Sequence, residues 1–265
     1  MSKLHAIEKT VSMLRCPKCG GSFELTGGSL ICTNGHCFDC NKRGFVNLVP
    51  SQRPTRYNFE LFEARRRILE GGFYDRLIEA INGLLKQTDT IVDAGCGDGY
   101  FTSKVYPCEH KIGIDLSKEA IAIAAKGCKD TAWLVADLAN LPLKEGCADV
   151  ILNILSPAHY ESFSRILKPE GRLIKVIPNE SYLQEIRAAF NKSDYSNAEV
   201  WELFCKRNKN VSRKQIAYEV AVNEEQLKDF LTMTPMTFSI DTGRIKNVRL
   251  EKIAIALEIL SGEPF

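Results

Sequence analysis

The chain has 265 residues, 45% of them apolar and 26% charged, with a net charge of +2. That size suits one large domain with a small companion. No apolar run approaches the ~18 residues of a membrane span, and Met1-Ser2-Lys3-Leu4-His5 lacks the apolar stretch of a secretory signal. Of the ten cysteines, five lie within residues 16–40, which fits metal binding plus free thiols in a reducing cytoplasm better than secreted disulfides. Residues 1–56 carry eight Lys/Arg against three Asp/Glu, a net of +5 that leaves −3 for the rest. A basic front on a mildly acidic body is the asymmetry expected if the front touches phosphate.

In chain order, residues 1–13 form a lead-in with helical character. Residues 14–49 read as a zinc ribbon, because Cys16, Cys19, Cys32 and His36 follow the spacing C-x2-C-x12-C-x3-H. Two close pairs at the ends of a short ribbon can close a tetrahedron around Zn²⁺, which prefers S and N ligands. Ser22–Leu25 and Ser29–Ile31 are the strand-like pieces, turned at Gly27-Gly28, and Gly44–Val49 is expected to close the unit. Cys37 and Cys40 stand close enough to compete with His36 for the metal.

Pro50 and Pro54 mark a boundary, giving residues 1–50 as a zinc-binding unit, 51–88 as a helical linker and 89–265 as the larger domain. The linker predicts one helix from Phe59 to Leu69, carrying Arg65-Arg66-Arg67. A second runs from Tyr74 to Lys86, with Leu77, Ile78, Ile81, Leu84 and Leu85 at helical spacing. From Asp89 onward, strands at Thr90–Ala94, Lys111–Asp115, Ala132–Val135, Asp149–Asn153 and Arg172–Ile177 alternate with helices, the pattern of a parallel, doubly wound α/β sheet. The end departs from it. Gln215–Val222 and Lys252–Leu260 predict strands flanking a helix at Glu224–Leu231. Ile253, Ile255, Leu257 and Ile259 alternate as in an antiparallel hairpin at the sheet edge.

Val92-Asp93-Ala94-Gly95-Cys96-Gly97-Asp98-Gly99 sits where the first large-domain strand turns into a helix, and its glycines let a ligand approach the backbone. Asp115 ends the second strand, where a carboxylate can accept both hydroxyls of a ribose. Asp137, in Val135-Ala136-Asp137-Leu138, follows the third and is placed to bond an adenine amino group. This set resembles the class I S-adenosylmethionine-dependent methyltransferases. A nicotinamide or flavin site is the rival, but it wants G-x-G-x-x-G/A, and residues 100 and 101 are Tyr and Phe. The candidate cofactor residues are Asp93, Gly95, Gly97, Gly99, Tyr100, Phe101, Asp115, Asp137, Leu138 and Asn153. The fourth strand leads to Asn153 and the Ser156-Pro157 corner, candidates for positioning the methyl acceptor. His159 lies just beyond. No catalytic base is assigned: Asn153 and His159 are the candidates for the reacting end, with Glu161 and Asp137 also open.

The zinc spacing and donor motifs together resemble the RlmA/TlrB family of 23S rRNA (guanine-N1) methyltransferases. The resemblance runs over most of the chain. It is carried by Leu14-Arg15-Cys16-Pro17-Lys18-Cys19, Gly44-Phe45-Val46-Asn47-Leu48, Ala64-Arg65-Arg66, Gly72-Phe73-Tyr74, Ala136-Asp137-Leu138, Leu152-Asn153, Ser156-Pro157 and Met233-Thr234-Pro235. It implies a class I methyltransferase fold, zinc on Cys16, Cys19, Cys32 and His36, S-adenosylmethionine as methyl donor, and N1-methylguanosine in a hairpin of 23S rRNA as product. It further implies that Tyr74 and a residue within Pro178–Leu183 close over the donor; relatives tend to carry His where this chain has Tyr182.

On this reading the ribbon, Lys42, Arg43, Arg53, Arg56, Arg65, Arg66 and Arg67 grip the hairpin backbone, and Tyr57, Phe59 or Tyr100 stacks on a displaced base. The resemblance also allows a homodimer presenting two basic clefts to one RNA, in the cytoplasm and away from any membrane. The competing functions are a small-molecule methyltransferase with a purely structural zinc clip, and a non-enzymatic zinc-dependent RNA-binding protein.

Overall fold

The computed structural model describes residues 4–49, 59–106, 108–192 and 195–265. Arg53, Arg56 and Tyr57 lie outside the described residues, as does the side chain of Phe59. A short helix, α1 (His5–Thr10), leads into an antiparallel ribbon of β1 (Phe23–Thr26), β2 (Ser29–Cys32) and β3 (Cys37–Asp39). Gly44–Val49 returns along the ribbon, where Val46 bridges Cys40 and the Asn41 N–H donates to the Phe45 carbonyl, and it also joins the larger sheet. Its strand β4 (Phe45–Asn47) pairs in parallel along the edge of the main sheet. Burial suits both pairings: Val46 joins the core of Cys16, Phe23 and Leu30 from the ribbon, whereas Phe45 joins that of Trp133 and Ile121.

The larger part continues with α2 (Phe59–Glu70), α3 (Asp75–Asn82), β5 (Thr90–Ala94), α4 (Tyr100–Lys104), β6 (His110–Asp115), α5 (Lys118–Gly127) and β7 (Ala132–Val135). There follow β8 (Ala148–Ile154), α6 (Tyr160–Ile166), β9 (Leu167–Pro178), α7 (Gln184–Ala189), α8 (Ala198–Arg207), β10 (Asn208–Ala221), α9 (Glu224–Met233), α10 (Thr242–Lys246) and β11 (Lys252–Pro264). The eight strands run in the order β10-β11-β9-β8-β5-β6-β7-β4. From β4 to β9 all neighbours are parallel; β11 is antiparallel to both of its neighbours. This is the mostly parallel, doubly wound sheet with an antiparallel C-terminal pair that the sequence predicts. Strand order reverses between β5 and β8, so the crevice beyond their C-terminal ends is where such a sheet takes a ligand.

Several details differ from the sequence pattern, among them the earlier starts of β9 at Leu167 and β10 at Asn208. Helix α3 stops at Asn82 rather than Lys86, capped by Gly83, whose N–H returns to the Glu79 carbonyl. The alternation of Ile253, Ile255, Leu257 and Ile259 suggests a half-exposed edge strand, yet β11 is buried from Ile253 to Leu260, Glu258 included. It lies between β9 and β10, and β10 takes the exposed edge.

Adjacent residues of β8 feed different cores, because side chains alternate across a strand. Ile151 packs with Cys16, Phe23, Leu30 and Cys32 of the ribbon and with Leu134, Leu141 and Leu143. Val150 and Leu152 pack with Ile68, Leu77, Ile81 and Phe230 from the helices on the other face. The ribbon is thus built onto the sheet. The Arg15 N–H donates to the Pro142 carbonyl, the Lys144 N–H to the Met13 carbonyl, and Asn140 Nδ2 to the Pro17 carbonyl.

Candidate functional site

The first site is the ribbon knot. Cys16, Cys19, Cys32 and His36 bring one ligand atom each to within 4.8 Å of one another. Cys19 Sγ lies 3.7 Å from Cys32 Sγ, and His36 Nδ1 lies 3.6 Å from Cys16 Sγ and 3.4 Å from Cys32 Sγ. Thiolates about 2.3 Å from a tetrahedral zinc stand roughly 3.8 Å apart, so the spacing fits that ion. The set excludes Cys37, which is exposed with its thiol turned to Asp39, and Cys40, which pairs through its backbone with Val46 and Gly28. Of the three candidates for the fourth position, His36 is the one that the structure brings into this cluster. The N–H of Gly21 holds the Cys19 thiol down to about 6, favouring the thiolate that a metal needs, whereas burial pushes Cys16 up.

The second site is the loop after β5. Gly95 and Gly99 both have positive φ, +83° and +72°, where a side chain is strained. Neither has room for one: a Cβ on Gly95 would lie 2.0 Å from Ser156 Oγ, and on Gly99 2.4 Å from the Trp133 ring. Asp115 Oδ2 accepts from the Gly97 N–H at 2.9 Å and its Oδ1 from the Ser117 N–H at 2.8 Å, so this carboxylate shapes the loop from the tip of β6. Asp93 is buried at the end of β5. Its Oδ2 accepts from Thr102 Oγ1 at 2.5 Å, and its Oδ1 has no partner. Burial, joined by the charges of Asp115 and Asp98, pushes Asp93 up to about 7 against the opposing pull of Thr102 and Arg65. An orphaned buried carboxylate oxygen beside a glycine cradle suits a cationic ligand. S-adenosylmethionine, carrying a sulfonium and an ammonium, has that character.

Beyond the loop opens a cavity of about 660 Å³ with mostly apolar walls, lined by Phe101, by Ser156-Pro157 at the tip of β8 and by Lys175 in β9. Tyr74 and Tyr182 meet on its wall, their hydroxyls 2.7 Å apart. Burial raises both phenols, Tyr74 well above its ordinary value. Asn153 is completely buried beneath the cavity. Its Nδ2 donates to the carbonyls of Ala94 and Pro157, and its Oδ1 accepts from Lys175. The amide holds the tips of β5, β8 and β9 together and has little left to offer a substrate. His159 stays off the cavity wall: its Nδ1 caps α6 by accepting the Ser162 N–H, and its Nε2 faces Glu161. Tyr100 also turns away, donating its hydroxyl to the Leu69 carbonyl. Asp137 is exposed and accepts the Ala139 N–H, with Leu138 half-buried beside it.

The three arginines of α2, grouped in the sequence as phosphate contacts, have different roles. Arg65 turns inward and lines the cavity, its charge felt by Asp93 and Asp115. Arg66 pairs with Glu70 at 2.7 Å and lies over the Tyr100 ring. Arg67 makes a two-pronged bond to the buried Asp229 carboxylate, 2.8 and 2.6 Å, joining α2 to α9. The partner stands 162 residues away, beyond the reach of any local pattern. Lys42 and Arg43 remain exposed on the turn between β3 and β4. The sequence carries one signal for Lys175, a lone lysine inside the apolar run Leu173–Ile177.

Comparison with known proteins follows this division. Residues 14–55 match the zinc-ribbon family described as RlmA, N-terminal, and residues 92–175 match a methyltransferase domain. YxjB of Bacillus subtilis (strain 168), provisionally named a 23S rRNA (guanine-N(1)-)-methyltransferase, is 36% identical over 273 residues, covering 95% of this chain and 97% of that protein. The 23S rRNA (guanine(748)-N(1))-methyltransferase of Streptomyces fradiae is 28% identical, with 90% of each chain covered. A solved S-adenosylmethionine-dependent methyltransferase from Thermotoga maritima shares the fold, with TM-score 0.51 at 20% identity over 77% of this chain and 97% of that one. With ribbon and methyltransferase sheet matched together along nearly the whole of a relative above 30% identity, the chain belongs to the RlmA family.

Proposed function

We propose that the protein methylates N1 of a guanine in a hairpin of 23S rRNA, using S-adenosylmethionine. The observation that carries this reading is one continuous match, ribbon included, to relatives named for that reaction. Bound S-adenosylmethionine supplies an electrophilic methyl group on a sulfonium. Asp93 faces its cationic end, Gly95, Gly97 and Gly99 make room for it, and Asp115 accepts from the ribose hydroxyls. Asp137 and Leu138 flank the adenine, and Tyr74, Phe101 and Tyr182 wall off water. The cavity has room for a base drawn out of the RNA stack, as chemistry on a structured nucleotide requires.

Residues 1–50 form the RNA-recognising unit in this reading. Lys42 and Arg43 touch phosphate from the ribbon turn, joined by Arg53 and Arg56 outside the described residues, and binding weakens as salt rises. Among the described residues no helix is long and apolar enough to cross a membrane. A cytoplasmic enzyme acting on ribosomal RNA, as monomer or homodimer, fits this picture. Primer extension on 23S rRNA from cells with and without the protein tests it. N1 methylation blocks the Watson–Crick edge, so a strong stop at one guanine should vanish with the protein; identical stops in both would exclude the reaction.

Asp93 also gives the donor site a pH dependence. Its carboxyl stays protonated below about 7 in the free protein, and binding a cation selects the ionised form. Affinity for S-adenosylmethionine should fall by up to tenfold per unit below pH 7 and level off above it. Titration calorimetry from pH 5.5 to 8.5 checks this, and Asp93→Asn should bind weakly with no such slope. A flat profile in the unaltered protein would contradict the role. The sign for stability is opposite to that of a salt-bridged acid. The native state keeps a proton that the unfolded chain releases near 3.8, so this group lowers the stability of the ligand-free protein as pH rises from about 4 to about 7.

A further inference from the structure

Lys175 interrupts the apolar strand Leu173-Ile174-Lys175-Val176-Ile177 and is 5% exposed. Burying an ammonium is costly unless something compensates, and burial is the sole influence that shifts this one. Its Nζ donates to Asn153 Oδ1 at 2.6 Å and to the Ser156 carbonyl at 2.9 Å, both neutral acceptors. Beside the bond to Cε, those contacts occupy two of three remaining tetrahedral positions. The last has no hydrogen-bond partner among the described residues, and Lys175 lines the cavity. That position holds an N–H in the ammonium and a lone pair in the amine. Burial lowers the group to about 8, so both forms are accessible near neutral pH.

The location matters as much as the charge state. Asn153 also holds the Ala94 carbonyl at the tip of β5. Ser156, whose carbonyl fixes Nζ, presses its side chain against the space over Gly95. Lys175 is therefore tied to the backbone that cradles the methyl donor while facing the space beyond it. Of the other ionisable groups lining the cavity, Arg65 and Arg187 offer N–H donors and no acceptor. Burial raises Tyr74, Tyr160, Tyr182 and Tyr195. Glu199, from α8, is the remaining acid.

We propose that Lys175 is the base that removes the N1 proton of the target guanine. This rests on reading the cavity as the site of that base. N1 gives its proton to the Nζ lone pair of Lys175 and forms its new bond to the methyl carbon. The sulfur leaves with the electron pair of the broken S–C bond, and the side chain of Lys175 is left as the ammonium. A guanine N–H is a poor nucleophile until deprotonated, and a placed base is worth roughly 10²–10⁴-fold.

The test compares the unaltered protein with Lys175→Met, which keeps the aliphatic stem, and Lys175→Arg, which keeps charge and donors but cannot give up its proton near neutrality. Both variants should lose roughly 10²–10⁴-fold in kcat while binding S-adenosylmethionine within about threefold of the unaltered protein. The residual rate of Lys175→Met should climb about tenfold per pH unit to pH 9 as hydroxide substitutes for the base; the unaltered enzyme should level off above pH 8. In ¹³C-lysine-labelled protein, one resonance should titrate near 8 and be missing from Lys175→Met. An active Lys175→Arg, a loss of donor affinity in step with the rate, or a Lys175 resonance titrating with the surface lysines would each overturn the proposal. If the unaltered protein forms N1-methylguanosine and the variants match it, this inference alone fails. If it forms none, the functional reading fails and takes this inference with it.

Discussion

Replacing Cys32 with serine is expected to strip the protein of zinc and lower its melting temperature by about 10 °C or more. Cys32 is buried, and its sulfur is the hub of the knot, 3.7 Å from Cys19 Sγ and 3.4 Å from His36 Nδ1. Structural zinc contributes folding energy directly, with apparent values of about 10–16 kcal/mol in isolated fingers. Losing about half of that would shift the transition by the stated amount in a chain of this size. The damage should spread, because Cys16 and Cys32 share one core with Val46 of β4 and Leu134 of β7. Metal content by plasma emission and a thermal melt decide the matter. Cys37→Ser and Cys40→Ser serve as controls that should keep one zinc per chain. A Cys32→Ser protein retaining stoichiometric zinc would place the metal elsewhere.

Asp115→Ala is expected to weaken S-adenosylmethionine binding by roughly 10²–10⁴-fold, since two charge-assisted hydrogen bonds of about 1.5–3 kcal/mol each would go. Each oxygen of this carboxylate already takes one backbone N–H, from Gly97 or Ser117, and keeps a further lone pair for a ribose hydroxyl. The substitution therefore removes the ligand's contacts and also releases the loop that cradles it. Asp115→Asn separates these effects: its amide oxygen retains one acceptor, so part of the affinity should return. Equilibrium dialysis with labelled donor reads both variants, with a thermal melt confirming the fold. Binding of Asp115→Ala within threefold of the unaltered protein would move the donor site away from β6.

Why these residues were legible in the sequence, and others not, has a physical basis. Asp93, Asp115 and Asp137 stand where apolar strands end, and a strand end announces itself locally through the change from β-branched residues to glycine or a turn. The zinc ligands announce themselves through spacing. By contrast, the pairing of Arg67 with Asp229 depends on two helices meeting far along the chain. Three consecutive arginines looked equivalent because a charge run reveals nothing about which face each side chain takes. Lys175 was silent for a related reason: one lysine in an apolar strand does not reveal that its partners are an amide and a carbonyl. The same limit hid the second pairing of β4, whose short apolar run serves both the ribbon and the edge of the sheet.

The parallel pairing of β4 with β7, with the backbone bonds from Met13 and Arg15 to residues 142 and 144, fixes the ribbon against β7, which pairs with the strand ending in Asp115 and leads into the turn at Asp137. On the proposed reading of the ribbon as the RNA grip, a grip bonded in this way to the sheet that holds the reaction centre acts as a ruler. The nucleotide that reaches the cavity is then set by its distance along the RNA from the stem being held, and not by a reading of its neighbours' base edges. Lengthening that stem by one base pair should defeat such an enzyme more thoroughly than changing the sequence of the stem.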